Sequence, residues 1–232
     1  MHILLTRPLE DSQDLILRFQ NLGHQVSHMP VIKIEKKKYE NINFSDYKGI
    51  IFTSANSIKY LEAKLINKNV NCFCVGNKTE KKARSIGFSN VYCADGNVRN
   101  LKELILQNFN SSDGKLLYVS GEQISINLDQ ELIAEGYSVK RIINYTAYPI
   151  EIFKDDFIEK LKSNMPDIVY VYSQNSAMSF LNLIKNNKLT TNWINTNLMC
   201  MGEKTSAVLN EIKWKKIFLF YPGEEEFLLY KI

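Results

Sequence analysis

Small hydroxyl and amide side chains gather in two phrases of the same shape, Thr53-Ser-Ala-Asn-Ser57 after the apolar run Gly49–Phe52 and Tyr172-Ser-Gln-Asn-Ser176 after Ile168–Val171. A second pair, Val75-Gly-Asn-Lys-Thr79 and Met201-Gly-Glu-Lys-Thr205, likewise closes an apolar run. A third pair sets Leu5-Thr-Arg-Pro8 beside Val119-Ser-Gly-Glu122. At a strand-to-helix junction such residues suit one kind of chemistry. The first turn of a helix carries backbone N–H groups without intrahelical partners and a partial positive charge, so it binds anions without needing arginines. Six such ends, with Thr79 and Thr205 read as caps after a tight Gly turn, suit a polycarboxylate. Each phrase taken singly also reads as a plain helix cap with no ligand.

Other chemistries lack their residues. Neither Gly-x-Gly-x-x-Gly nor Gly-x-x-x-x-Gly-Lys-Thr occurs, which argues against a dinucleotide. His2, His24 and His28 have no acid, serine or cysteine motif that would recommend hydrolysis. Cys72 and Cys74 share a strand face, but no further ligands lie nearby in sequence, so they read as buried thiols and no metal is expected. The four cysteines have no framework spacing, and no apolar run reaches the ~20 residues of a membrane span. The Met1–Pro8 stretch is too short in apolar residues for a signal peptide, so the expected compartment is the cytoplasm. A net charge of +4 is too mild for nucleic-acid binding but suits an anionic small ligand, and Lys36–Lys38 reads as a solvated linker.

The elements that must position these residues alternate. Strand signals occur at Ile3–Leu5, Gln25–Ile34, Gly49–Thr53, Asn71–Val75, Asn90–Cys93, Lys115–Val119, Tyr137–Tyr148, Ile168–Tyr172, Asn197–Met201 and Lys216–Phe220. Helical spacing lies between them, as at Leu15, Ile16, Phe19 and Leu22, at Ile58–Leu65, and at Met178–Ile184, with Gly23 and Gly136 as helix-ending residues. This alternation predicts parallel α/β sheets. The three paired phrases recur in the same order in the two halves, so the chain reads as a diverged tandem duplication.

In this order, Leu4-Leu-Thr-Arg-Pro8, Ile51-Phe-Thr-Ser-Ala-Asn-Ser57, Val75-Gly-Asn-Lys-Thr79, Tyr118-Val-Ser-Gly121, Tyr145 after Val139-Lys-Arg-Ile-Ile143, Tyr172-Ser-Gln-Asn-Ser-Ala177 and Met201-Gly-Glu-Lys-Thr-Ser-Ala207 resemble the uroporphyrinogen III synthase family over nearly the whole chain. Two departures are Glu80, where the family often has Ala, and a short C-terminal segment, Tyr221–Ile232. The resemblance implies an α/β fold of two similar domains, each a parallel β-sheet flanked by helices, joined by a two-stranded linker across a deep cleft. It places domain one at 1–36 plus 149–232 and domain two at 37–148, where duplication alone would divide the chain near residue 114. It further implies an enzyme without cofactor; the expected assembly, apart from the resemblance, is a monomer. Its substrate would be a linear tetrapyrrole, hydroxymethylbilane, closed with loss of water and inversion of the last pyrrole ring through a spiro intermediate.

The family's candidate for assisting the departing hydroxyl maps to Tyr145, which on its residue type alone also reads as a packing tyrosine of the linker. The expected substrate contacts are Arg7, Thr53, Ser54, Asn56, Ser57, Thr79, Ser120, Gly121, Ser173, Asn175, Ser176 and Thr205. A rival reading is a non-catalytic two-lobed sensor that clamps a small polyanion.

Overall fold

The computed structural model describes residues 1–62, 66–153, 155–221, 223–226 and 229. The chain divides into two compact units, Met1–Lys33 with Tyr148–Ile232 and Ile34–Ala147.

The first unit contains β1 (His2–Leu5), α1 (Leu9–Asn21) and β2 (Gln25–His28), then α6 (Asp155–Ser163), β9 (Ile168–Val171), α7 (Gln174–Asn186), β10 (Asn197–Cys200), α8 (Glu203–Val208) and β11 (Lys216–Leu219). Its sheet runs β11-β10-β9-β1-β2 with every neighbouring pair parallel. The second unit contains β4 (Tyr47–Phe52), α2 (Ala55–Lys59), β5 (Asn71–Val75), α3 (Asn77–Ser85), β6 (Val91–Ala94), α4 (Val98–Asn108), β7 (Lys115–Gly121) and α5 (Leu128–Ala134). Two strands, β3 (Ile32–Lys36) and β8 (Val139–Pro149), carry the chain across the boundary. They lie side by side at one edge of the order β3-β8-β7-β4-β5-β6.

Strand alternation explains how each sheet is covered on both faces. In the first unit Leu4, Val169, Val171, Leu198 and Cys200 pack beneath Ala177, Phe180 and Ile184 of α7. The alternate residues Ile3, Leu5, Ile168, Tyr170 and Met199 pack against Leu15 and Phe19 of α1. In the second, Ile50, Phe52, Cys72, Cys74, Leu117 and Val119 meet Ile58 of α2 and Ala83 of α3, while Ile51, Phe73, Leu116 and Tyr118 meet α4 and α5. Each fully buried aliphatic side chain of this kind contributes about 1.5–3 kcal/mol. That is why the central strands are continuous apolar runs rather than alternating ones.

Counted inward from β11 and from β6, five strands of each sheet are equivalent in order, β10 with β5, β9 with β4, β1 with β7 and β2 with β8, and β3 at the far edge has no counterpart. The repeat seen in the sequence is real, but its halves are exchanged. The β1-α1-β2 segment completes the sheet of β9–β11, and β7-α5-β8 completes that of β4–β6.

Some boundaries differ from the sequence expectation. The predicted strand Gln25–Ile34 is broken between β2 and β3 at Pro30, which has no N–H to donate, while Met29 and Val31 donate to the carbonyls of Leu5 and Thr6. The helix expected over Ile58–Leu65 is observed as α2, ending at Lys59, and residues 63–65 of that expectation lie outside the described residues. Half of the short C-terminal segment lies outside them too. Gly23 and Gly136 end α1 and α5 with φ of 79° and 86°, as expected.

Candidate active site

In an open parallel sheet, ligands bind outside the carboxyl ends of the strands where successive helices leave to opposite faces. Both units have such a point. In the first it lies between β1 and β9, because α1 and α7 cover opposite faces; in the second it lies between β4 and β7, because α2 and α5 do. The paired phrases of the sequence end at these strands and at their neighbours β10 and β5.

In the first unit the Arg7 guanidinium lies over the Tyr172 ring, 4.4 Å from its centroid. The Arg7 carbonyl accepts from His28 Nε2 at 2.7 Å and from the Ser12 hydroxyl at 3.3 Å, which fixes the turn that presents the side chain. Burial is the main reason the Tyr172 phenol is held far above its ordinary pKa; the Glu225 carboxylate adds to it and Arg7 opposes it. Ser173 caps α7 by accepting from the Ser176 N–H at 3.1 Å, and its hydroxyl pairs with that of Ser176 at 2.9 Å. Asn175 is exposed on the same turn.

In the second unit Ser54 caps α2 by accepting from the Asn56 N–H at 3.2 Å. Thr53 Oγ1 lies 3.2 Å from Tyr118 Oη. The Tyr118 phenol is raised, chiefly by burial, against the opposing effects of the Thr53 hydroxyl and of Arg141, whose guanidinium carbon stands 6.0 Å from the ring. Arg141, a residue the sequence reading passed over, ties the end of β7 to β8. It donates from Nε to Ser120 Oγ at 2.8 Å, and from Nη2 to the carbonyls of Gly121 at 2.8 Å and Glu122 at 3.1 Å. Tyr145, half-buried on β8, pairs with Gly121 in the sheet register. A Cβ on Gly121 would fall 2.6 Å from Tyr145 Cζ and 2.9 Å from its Oη, so the phenol ring lies directly against the glycine.

Several expected contacts have their side chains turned to other work. Ser57 is buried and donates to the Ser54 carbonyl at 2.6 Å. Ser120 is buried, accepting from Arg141 and donating to the Gly121 carbonyl. Thr205 is buried and donates to the Met201 carbonyl at 3.0 Å, and Thr79 and Ser176 are buried as well. Nor do the threonines cap their helices. Gly76 and Gly202 occupy the N-cap positions at φ 78° and 86°, and no side chain caps α3 or α8. Of the six helix ends, only those at Ser54 and Ser173 carry a side-chain cap. Arg7, Thr53, Ser54, Asn56, Ser173 and Asn175 keep surface access. Among the described residues no group of His, Cys, Asp and Glu is arranged to hold a metal.

Two α/β sheets whose first five strands match in order, each carrying polar turns at its switch point, define an α/β protein of two linked units. A family model for uroporphyrinogen-III synthase HemD matches residues 13–219, and the chain belongs to that family. Its reaction is that of a cyclising lyase of tetrapyrrole biosynthesis. The fold is similar to that of uroporphyrinogen-III synthetase from Helicobacter pylori 26695, at 16% identity and a TM-score of 0.66, covering 100% of this chain and 99% of that one. It is also similar to a mutant uroporphyrinogen III synthase from the extremely thermophilic bacterium Thermus thermophilus, at 14% identity and a TM-score of 0.56, with 100% of both chains covered. No curated protein sequence matches. No helix of the described residues is long and apolar enough to cross a membrane.

Proposed function

We propose that this chain closes hydroxymethylbilane to uroporphyrinogen III with Tyr145 as the group that assists departure of the terminal hydroxyl. The observation that carries this assignment is the Tyr145 phenol set against Gly121 at the carboxyl end of β7, within the polar cluster of Thr53, Tyr118 and Arg141. The family match supplies the reaction.

The phenol donates a proton to the hydroxyl as the C–O bond breaks and water leaves, while the electron pair of the pyrrole nitrogen moves in to form the protonated azafulvene, an azafulvenium cation. Closure through the spiro intermediate inverts the last ring, and the proton lost on rearomatisation restores the phenol. Uncatalysed closure gives the symmetric type I isomer, so most of the enzyme's task is orientation. The substrate carboxylates are held by Arg7 and by the turns of Thr53, Ser54, Asn56, Ser173 and Asn175, which retain surface access. The buried Ser57, Thr79, Ser120, Ser176 and Thr205 shape those turns instead. The reading includes a cytoplasmic monomer without cofactor, and the free cysteines among the described residues suit a reducing compartment.

Freshly prepared hydroxymethylbilane, supplied without metal or nucleotide, should yield the type III isomer when the macrocycles are resolved by chromatography. A product that stays type I with folded protein overturns the proposal.

A further inference from the structure

Regular pairing of β7 with β8 runs from Leu116 opposite Val139 to Ser120 opposite Ile143, and one more step would set Gly121 opposite Asn144. Instead Gly121 pairs with Tyr145, so Asn144 is an extra residue in β8. Such a bulge re-aims the side chains that follow it. Asn144 is wholly buried and held on both sides: its Nδ2 donates to the Ser57 carbonyl at 2.6 Å, and its own carbonyl accepts from the Lys37 N–H at 2.8 Å. Among the described residues its buried Oδ1 has no hydrogen-bond partner, a cost that an aliphatic residue would avoid. An aliphatic residue, however, offers no donor to Ser57 and so no tie to the turn of Thr53 and Ser54.

Gly121 supplies the other half. Its φ lies outside the left-handed region, so its own backbone does not demand glycine. The neighbour does, because a methyl group there would sit 2.6 to 2.9 Å from three atoms of the Tyr145 ring and hydroxyl. Arg141 then fixes the Gly121 carbonyl, and with it the floor on which the ring rests.

We propose that Gly121 and the Asn144 bulge are positioning elements, a seat that sets the height and direction of the Tyr145 phenol, rather than contacts for the substrate. This rests on the catalytic reading of Tyr145 but is tested apart from it. Gly121→Ala is made in the parent, in Tyr145→Phe and in Tyr145→Ala, and melting temperature and kinetics are recorded for each.

The seat requires Gly121→Ala to lower the melting temperature by about 3 °C or more in the parent and in Tyr145→Phe, and by less than about 1 °C in Tyr145→Ala, where the ring is gone. In the parent it should lower kcat at least about tenfold with KM little changed, and add no further loss to Tyr145→Phe. An equal melting loss in all three backgrounds, or none in the parent, overturns the seat. If Tyr145→Phe turns over at the parental rate, the catalytic reading falls, and the melting comparison still decides the seat. If Gly121→Ala cannot be purified folded, recovery of folded protein on adding Tyr145→Ala supports the seat and failure to recover it overturns it.

Discussion

The turn after β1 and the carboxyl end of β7 occupy equivalent places in two sheets that match over five strands, yet one holds Arg7 and the other Gly121. In the first unit a basic side chain fills the position and lies over Tyr172. In the second the position is empty of side chain, and Tyr145 from the next strand occupies the space. The supports are alike: His28 donates to the Arg7 carbonyl, as Arg141 does to that of Gly121. The duplicated scaffold thus keeps its backbone anchors while a single exchange of side-chain bulk decides whether the turn presents a cation or receives a phenol. In the proposed reaction the first grips charge and the second moves a proton.

Alkaline pH tests whether the two units share one stability. Burial pushes the Cys72 thiol of the second unit up from 9.0 to about 12, and raises Cys74 further. In the first unit Cys200 rises to about 12, while Tyr170 and Tyr172 rise from 10.0. A group whose pKa is higher folded than unfolded gives stability that is whole below the unfolded pKa and lost as pH climbs toward the folded one. Each group then removes about 1.4 kcal/mol per pH unit. Two buried thiols against one make the second unit lose stability faster between pH 9 and 10. Both tryptophans, Trp193 and Trp214, belong to the first unit. Circular dichroism of reduced protein should therefore change before tryptophan fluorescence does, and coincident transitions would mean that the units unfold together.

Tyr145→Phe keeps the ring on its seat and removes only the hydroxyl, so turnover should fall about 100-fold with an unchanged melting temperature. Steady-state rates beside a thermal melt separate the two effects. Next in size, Arg141→Met loses three hydrogen bonds at the end of β7 and should cost about 2 kcal/mol in urea unfolding, together with a fall in kcat. Arg7→Met in the first unit should act differently, raising KM about tenfold at nearly constant kcat. If Arg7→Met instead cuts kcat alone, the division of labour between the units is wrong. Smallest are the paired caps: Ser54→Ala and Ser173→Ala should each cost about 1 kcal/mol, since each loses one side-chain cap, to the Asn56 N–H in one turn and to the Ser176 N–H in the other.

Periodicity made the strands and their α/β alternation legible, because a buried parallel strand must be an unbroken apolar run such as Ile168–Val171. The repeat was legible for the same reason. What escaped depends on partners distant in sequence. Arg141 reads as one more charged residue beside Lys140, and nothing local says that its donors reach carbonyls 19 and 20 residues earlier. The bulge at Asn144 is a mismatch between two strands and has no signature in either. Gly121 was legible as an unusual residue, but its reason is a ring on another strand. Thr79 and Thr205 misled because a polar residue near a helix start suggests a cap, whereas the left-handed glycine before each helix already holds that place.

The exchange of halves between the two sheets also sets an order of events at the ribosome. Residues 34–147 form one continuous stretch that has all its strands as soon as it emerges. By contrast β1, buried along its whole length in the finished sheet, takes β9 as a neighbour, with Ile3 opposite Ile168. At ordinary rates of translation β1, with β2 already beside it, must wait roughly 10 to 30 s before β9, its neighbour on the other side, is made. The β1-α1-β2 segment thus waits for most of its sheet, and one edge of β1 stays open to wrong pairing throughout that wait.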